Sequence, residues 1–193
     1  MTNILSQIAG LISLIAYVQY IVSVFKGHTR PSRSTWWILA LVGALILLSS
    51  YSIGARESIW IQICYVIGPL IIAIQSLKYG YGARLQVVDK ICLAGAFICI
   101  FIWIIFNTPI IVFLRSIIID FIGLIPTIKK SYYDPREEDP LAWTIETIAS
   151  LLNAFGITFW FTMADKSWIY AIYLLFVNGL IMLLLLRSSL KRH

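Results

Sequence analysis

An acid stands inside an apolar run at Asp120, in the stretch D-F-I-G-L-I-P-T-I-K-K-S-Y-Y-D-P-R-E-E-D-P-L-A-W that ends at Trp143. A carboxyl in such a place can bind a cation or a proton, or hydrogen-bond a polar substrate. It can also be purely structural, held by a hydrogen bond or an ion pair, with Arg115 the nearest base on its own run. Arg115 lies five residues away, off the same helical face. Asp120, Gly123 and Thr127 do share a face, by their i, i+3, i+7 spacing. Glu146, one turn after Trp143, can satisfy a helix N-terminal dipole, pair with an interfacial lysine, or join the same polar site. Asn153 and Asn178 need partners in apolar surroundings, and Asn178 beside Gly179 suits a cavity wall. Trp160 reads as a stacking platform or as a belt residue at a membrane surface. Pro126 removes an intrahelical hydrogen bond and permits a kink where a gate would bend; Gln19 holds the matching place earlier in the chain.

No catalytic set accompanies these groups. Walker, H-E-x-x-H and G-x-S-x-G motifs are absent, and His28 and His193 lie outside the apolar runs. Cys64, Cys92 and Cys99 sit within apolar runs with no C-x-x-C, so they read as small core residues. The expectation is no enzyme, no metal and no cofactor.

The elements that must position these residues follow from composition. Of 193 residues, 60% are hydrophobic, more than a soluble domain of this length can hide from water. Apolar runs of about 17–22 residues, the length of a hydrocarbon core, recur along the chain. They predict an all-α membrane protein with seven transmembrane helices: 4–25, 36–54, 60–77, 91–106, 109–128, 141–163 and 168–186. The first begins almost at Met1 with no basic n-region or A-x-A site, so it reads as a retained helix. Trp36–Trp37 reads as an aromatic belt pair, and the acidic loop Asp134–Asp139 as a solvated connector.

The net charge of +6 does not point to nucleic acid. Apart from Arg56, Arg115 and Lys166, every Lys and Arg falls in the loops after spans 1, 3 and 5 or in the tail. That asymmetry places the N-terminus outside and the C-terminus in the cytoplasm.

One offset carries Tyr20 onto Thr127 and Trp36 onto Trp143. It lays spans 1, 2 and 3 on spans 5, 6 and 7, leaves span 4 alone, and places Ser13, Ala16 and Tyr20 on the face matching Asp120. The expected layout is two parallel triple-helix bundles, 1–78 and 109–193, joined by a loop and linker helix over 79–108.

This three-plus-one-plus-three layout resembles the SWEET and PQ-loop transporter superfamily. Two blocks bring the chain closest to its small bacterial members: P-x-x-x-T-W (Pro31, Thr35, Trp36) and D-x-x-x-x-x-P-T-I-x-K-S (Asp120, Pro126, Thr127, Ile128, Lys130, Ser131). The family's Pro-Gln pair is not intact, because Thr127 follows Pro126 and Val18 precedes Gln19. The resemblance implies alternating access around a central site lined by a Trp and an Asn in each half. Trp160 and Asn178 are the nearest counterparts, with Ile71 opposite Asn178. The expected function is transport of a small polar solute, such as a sugar or vitamin, across a bacterial inner membrane, with Asp120 as the coupling or contact group. The alternative is a membrane receptor or assembly factor that binds a peptide or lipid partner without transport. Expected partners are the solute, the lipid bilayer and, as an option, further copies of the chain.

Overall fold

The computed structural model describes residues 4–55, 59–80, 109–159 and 167–190, together with 87, 90, 91, 94, 98, 101 and 105. Six long helices account for most of them: α1 Ile4–Phe25, α2 Arg33–Ser52, α3 Ile59–Tyr79, α4 Pro109–Tyr133, α5 Pro140–Phe159 and α6 Ser167–Leu190. Their ends carry ordinary stop and start chemistry. Gly27 and Gly54 take positive φ just past α1 and α2, where a side chain would be strained. Pro109 and Pro140 open α4 and α5, where a missing N–H costs nothing. Asp139 caps α5, its Oδ1 accepting from the amides of Leu141 (2.9 Å) and Ala142 (3.0 Å).

Among the described residues, five helices are long and apolar enough to cross a membrane: α1, α2, α3, α4 and α6 over Ser167–Arg187. Large apolar side chains such as Leu11, Leu48, Ile74, Ile118 and Leu183 are exposed on their outer faces, as lipid contact requires. The chain is a multi-pass helical membrane protein. The expected seven spans are not all found among the described residues. Among the described residues the sixth helix, α5, is not one of these five; Glu146, Ser150 and Asn153 share one of its faces. The expected fourth span, 91–106, lies largely outside the described residues, as does the end of the expected sixth beyond Phe159.

The helices close into a ring. α1 packs on α3 and α5, α2 packs on α3 and α4, and α6 packs on α4 and α5, giving the circuit α1-α3-α2-α4-α6-α5. Close approach within it depends on small residues, since van der Waals contact drives helix association in lipid. Gly68 of α3 lies under the ring of Tyr17, and a Cβ on Gly43 would come 2.6 Å from the Tyr65 carbonyl oxygen.

α1, α3, α4 and α6 finish at one end of the ring, where α2 and α5 begin. Contacts there join all of them. The Lys130 ammonium donates to the Arg30 carbonyl at 2.6 Å, and the Arg33 guanidinium donates to the Ser76 carbonyl at 3.0 Å. Arg187 lies over the Tyr132 ring, 4.5 Å from its centroid. Arg30, Arg33, Lys130 and Arg187 thus gather at a single end.

Candidate functional site

A cavity open at its mouth lies inside the ring and is lined by residues from all six helices. Its walls are mostly aromatic and aliphatic, with three polar groups set among them: Asp120, Glu146 and Asn178.

Asp120 reaches the cavity from α4, and its partner is not Arg115, which is exposed. The Tyr173 hydroxyl of α6 donates to Asp120 Oδ2 at 2.5 Å. The face expected from spacing is present: Asp120, Gly123 and Thr127 are all buried, and so are Ser13, Ala16 and Tyr20 on α1.

Glu146 differs from the main expectation for it. It neither serves the α5 N-terminus, which Asp139 caps, nor pairs with a lysine. Instead Ser13 Oγ of α1 sits 2.9 and 3.0 Å from its two oxygens, and the Tyr65 hydroxyl of α3 also hydrogen-bonds it. Asn178 continues the network: its amide donates to the Tyr65 hydroxyl at 2.5 Å and to Ser150 Oγ at 2.9 Å. One connected set of polar groups therefore ties α1, α3, α5 and α6 around the cavity. Networks of this kind hold geometry because every member loses a partner if one moves.

The remaining expectations divide. Asn153 is fully buried but is not among the cavity-lining residues; its Oδ1 accepts from Ser6 Oγ at 2.9 Å between α5 and α1. Trp160 lies outside the described residues. Ile71 is exposed, so the α3 wall is built from Tyr65 and Pro69 instead. Trp36 is no belt residue: it is buried and, with Trp143, lines the cavity, while Trp37 beside it is exposed.

The acidic loop is also more than a solvated connector. Glu138 and Asp139 are buried. Glu138 forms an ion pair with Lys130 at 2.7 Å and accepts from the Trp143 indole N–H at 3.1 Å. Asp139 Oδ2 accepts from the Gln19 amide at 3.0 Å, which puts Gln19 at the basic end of the ring. Pro126 is half-buried in α4, which continues through it to Tyr133. These contacts form a latch across the basic end, joining α1, α4 and α5. A buried charge needs such pairing, and the sequence signal for it was the Pro-bounded run E-E-D next to two lysines.

The other residues missed by sequence reasoning are the tyrosines. Tyr17, Tyr65, Tyr170 and Tyr173 carry no pattern that separates a cavity wall from a lipid contact, because an aromatic ring is at home in either. No family model, curated protein or solved structure matches the chain.

Proposed function

We propose that this chain is a SWEET-like carrier that moves a small polar solute across a bacterial inner membrane by alternating access. The moving parts are two triple-helix bundles, residues 1–78 and 109–193, joined by a linker helix within 79–108. The neighbour order of the ring carries this reading. The offset that takes Tyr20 onto Thr127 takes α1, α2 and α3 onto α4, α5 and α6. It turns the contacts α1–α3, α2–α3 and α1–α5 into α4–α6, α5–α6 and α4–α2, and each of these is present. A two-fold axis along the membrane normal generates that pattern, as expected for parallel repeats.

The two bundles touch along α1–α5 and α2–α4 as well as at the latch. Rocking about those seams would open the cavity to one side at a time. Val87, Lys90, Ile91, Ala94, Ile98, Phe101 and Ile105, the residues described in this stretch, are helical and exposed, which is compatible with a linker helix. By the positive-inside rule the latch end faces the cytoplasm, with the N-terminus outside. In this reading Asp120, Glu146 and Asn178 contact the solute or a coupling proton, and the Gln19–Asp139 contact opens with the inner gate.

Cysteines at Leu124 and Val177, with Cys64, Cys92 and Cys99 replaced by serine or alanine, test the mechanism. Both should react with an impermeant maleimide applied to either face of the membrane. Labelling from one face only would favour the one-mouthed receptor. Labelling from neither face in folded protein would mean a sealed bundle and would sink both readings.

A further inference from the structure

We propose that the cavity takes an alkylammonium cation, an inference that rests on reading the cavity as the solute site. Both charged residues in its wall, Asp120 and Glu146, are acids; no Lys, Arg or His is among the lining residues described. Two carboxyls in a cavity within the membrane require a counter-charge, supplied either by protons or by a guest. Lys130, the buried base on α4, does not supply it. Its ammonium is occupied at the latch by Glu138 and by the carbonyls of Arg30 and Glu137.

The rest of the wall suits the same guest. Six rings line it: Tyr17, Tyr20, Trp36, Tyr65, Trp143 and Tyr170. Aromatic faces attract alkylammonium groups through their quadrupoles, most strongly where water is excluded. An anion would meet two carboxyls, and a neutral sugar would need free donors and acceptors. Much of that polar capacity is already committed, since Ser13, Tyr65, Asn178 and Ser150 bond to Glu146 or to one another. Asp120 is different. Among the described residues, its side chain takes a single hydrogen bond, from Tyr173, so acceptor capacity remains for a guest.

Two further polar groups lie beyond the cavity lining, on the side away from the latch. Gln62 lies one turn before Tyr65 on α3, and Ser116 one turn before Asp120 on α4. Both side chains are buried, at 1% and 0% exposure, and neither the amide nor the hydroxyl has a hydrogen-bond partner among the described residues. Unsatisfied buried polar groups are costly. Only a cation long enough to extend past the lining would offer them a hydroxyl or amine.

The test compares choline and tetramethylammonium with 3,3-dimethylbutan-1-ol, which copies the shape of choline without its charge. Protein in detergent should gain thermal stability and show saturable binding with both cations at millimolar concentration, and not with the alcohol. Asp120→Asn and Glu146→Gln should each weaken choline binding by about tenfold or more. If a variant fails to fold, the wild-type comparison of choline with the alcohol decides alone. Equal binding of the alcohol, no binding of either cation, or choline affinity unchanged in both folded variants would overturn the proposal. A neutral sugar that binds where the cations do not would overturn the ligand class and leave the cavity as solute site. A cation that binds but never crosses a proteoliposome would sink transport and leave the cation site standing.

Discussion

The two halves of the ring, residues 4–79 and 109–190, share helix order and neighbours but almost none of their chemistry. At positions related by the sequence offset, Ser13 stands against Asp120, Ser23 against Lys130, Ser32 against Asp139 and Leu39 against Glu146. In each pair the first half is neutral and the second charged. Asp120 is met by Tyr173 within its own half, while the other three also find partners across the seam. Ser13 bonds Glu146, Gln19 bonds Asp139, and the Arg30 carbonyl takes the Lys130 ammonium. A fully symmetric ring with an acid at position 13 would set that carboxyl against Glu146, and like charges in one buried site disfavour each other. The difference teaches that helix length and small-residue packing suffice to build the ring. Charge had to be placed on one side only, so that each buried ion found a neutral or opposite partner.

The comparison can be broken most severely at the latch. Lys130→Met leaves Glu138 buried without its cation and should cost about 3–5 kcal/mol in detergent unfolding. Replacing both residues with apolar ones should recover most of that loss. Ser23→Ala, at the matching place, should cost no more than about 1.5 kcal/mol, the worth of its hydrogen bond to Thr29. Equal losses on the two sides would refute the assignment of the latch's buried ion pair to the second half.

A middle-sized contrast lies in the third helix of each half. On Gly68 of α3 a Cβ would overlap the Tyr17 ring, so Gly68→Ala should destabilise by about 1–3 kcal/mol as the ring is displaced. On Gly179 of α6 a Cβ would meet only Thr147 Cγ2, at 4.0 Å. Gly179→Ala should be neutral or stabilise by up to about 1 kcal/mol through helix propensity. Paired melting curves check this, and a destabilised Gly179→Ala would show that α6 packs as tightly as α3.

The smallest effect is expected at Gln19. Gln19→Leu removes its bond to Asp139, which still caps α5, and should cost about 0.5–1.5 kcal/mol. Under the carrier reading it should also raise labelling of a Leu124→Cys probe from the cytoplasmic face. Unchanged labelling would remove Gln19 from the gate.

Much of this was legible from residue order. Span lengths and the Gly27, Gly54, Pro109 and Pro140 boundaries depend on local rules, and the helices begin and end close to where those rules place them. The Asp120 face was legible too, because three- and four-residue spacing follows from helix geometry alone. Glu146 was misjudged because a carboxyl near a helix start usually serves that helix, and its actual partners, Ser13 and Tyr65, lie on two other helices. Trp36 was misjudged for a related reason: a Trp at a span end is stable in the interface and equally stable in a cavity wall. Glu138 and Asp139 looked solvated because sequence shows the charge but not the lysine that folds over it.

By itself the sequence determined that the chain is helical, that it lies in a membrane, and which residues could not be left facing lipid. Those outcomes depend on hydropathy, helix periodicity and the cost of a bare charge, and all three can be counted along the chain. Only the tertiary structure decided the order of helices around the ring, the partners of Asp120, Glu146 and Lys130, and the aromatic wall that faces the two acids. In lipid the outward and inward faces of a helix are both largely apolar, so hydropathy cannot tell them apart. That choice is made by close contacts such as Gly68 under Tyr17, and by hydrogen bonds between residues far apart in sequence.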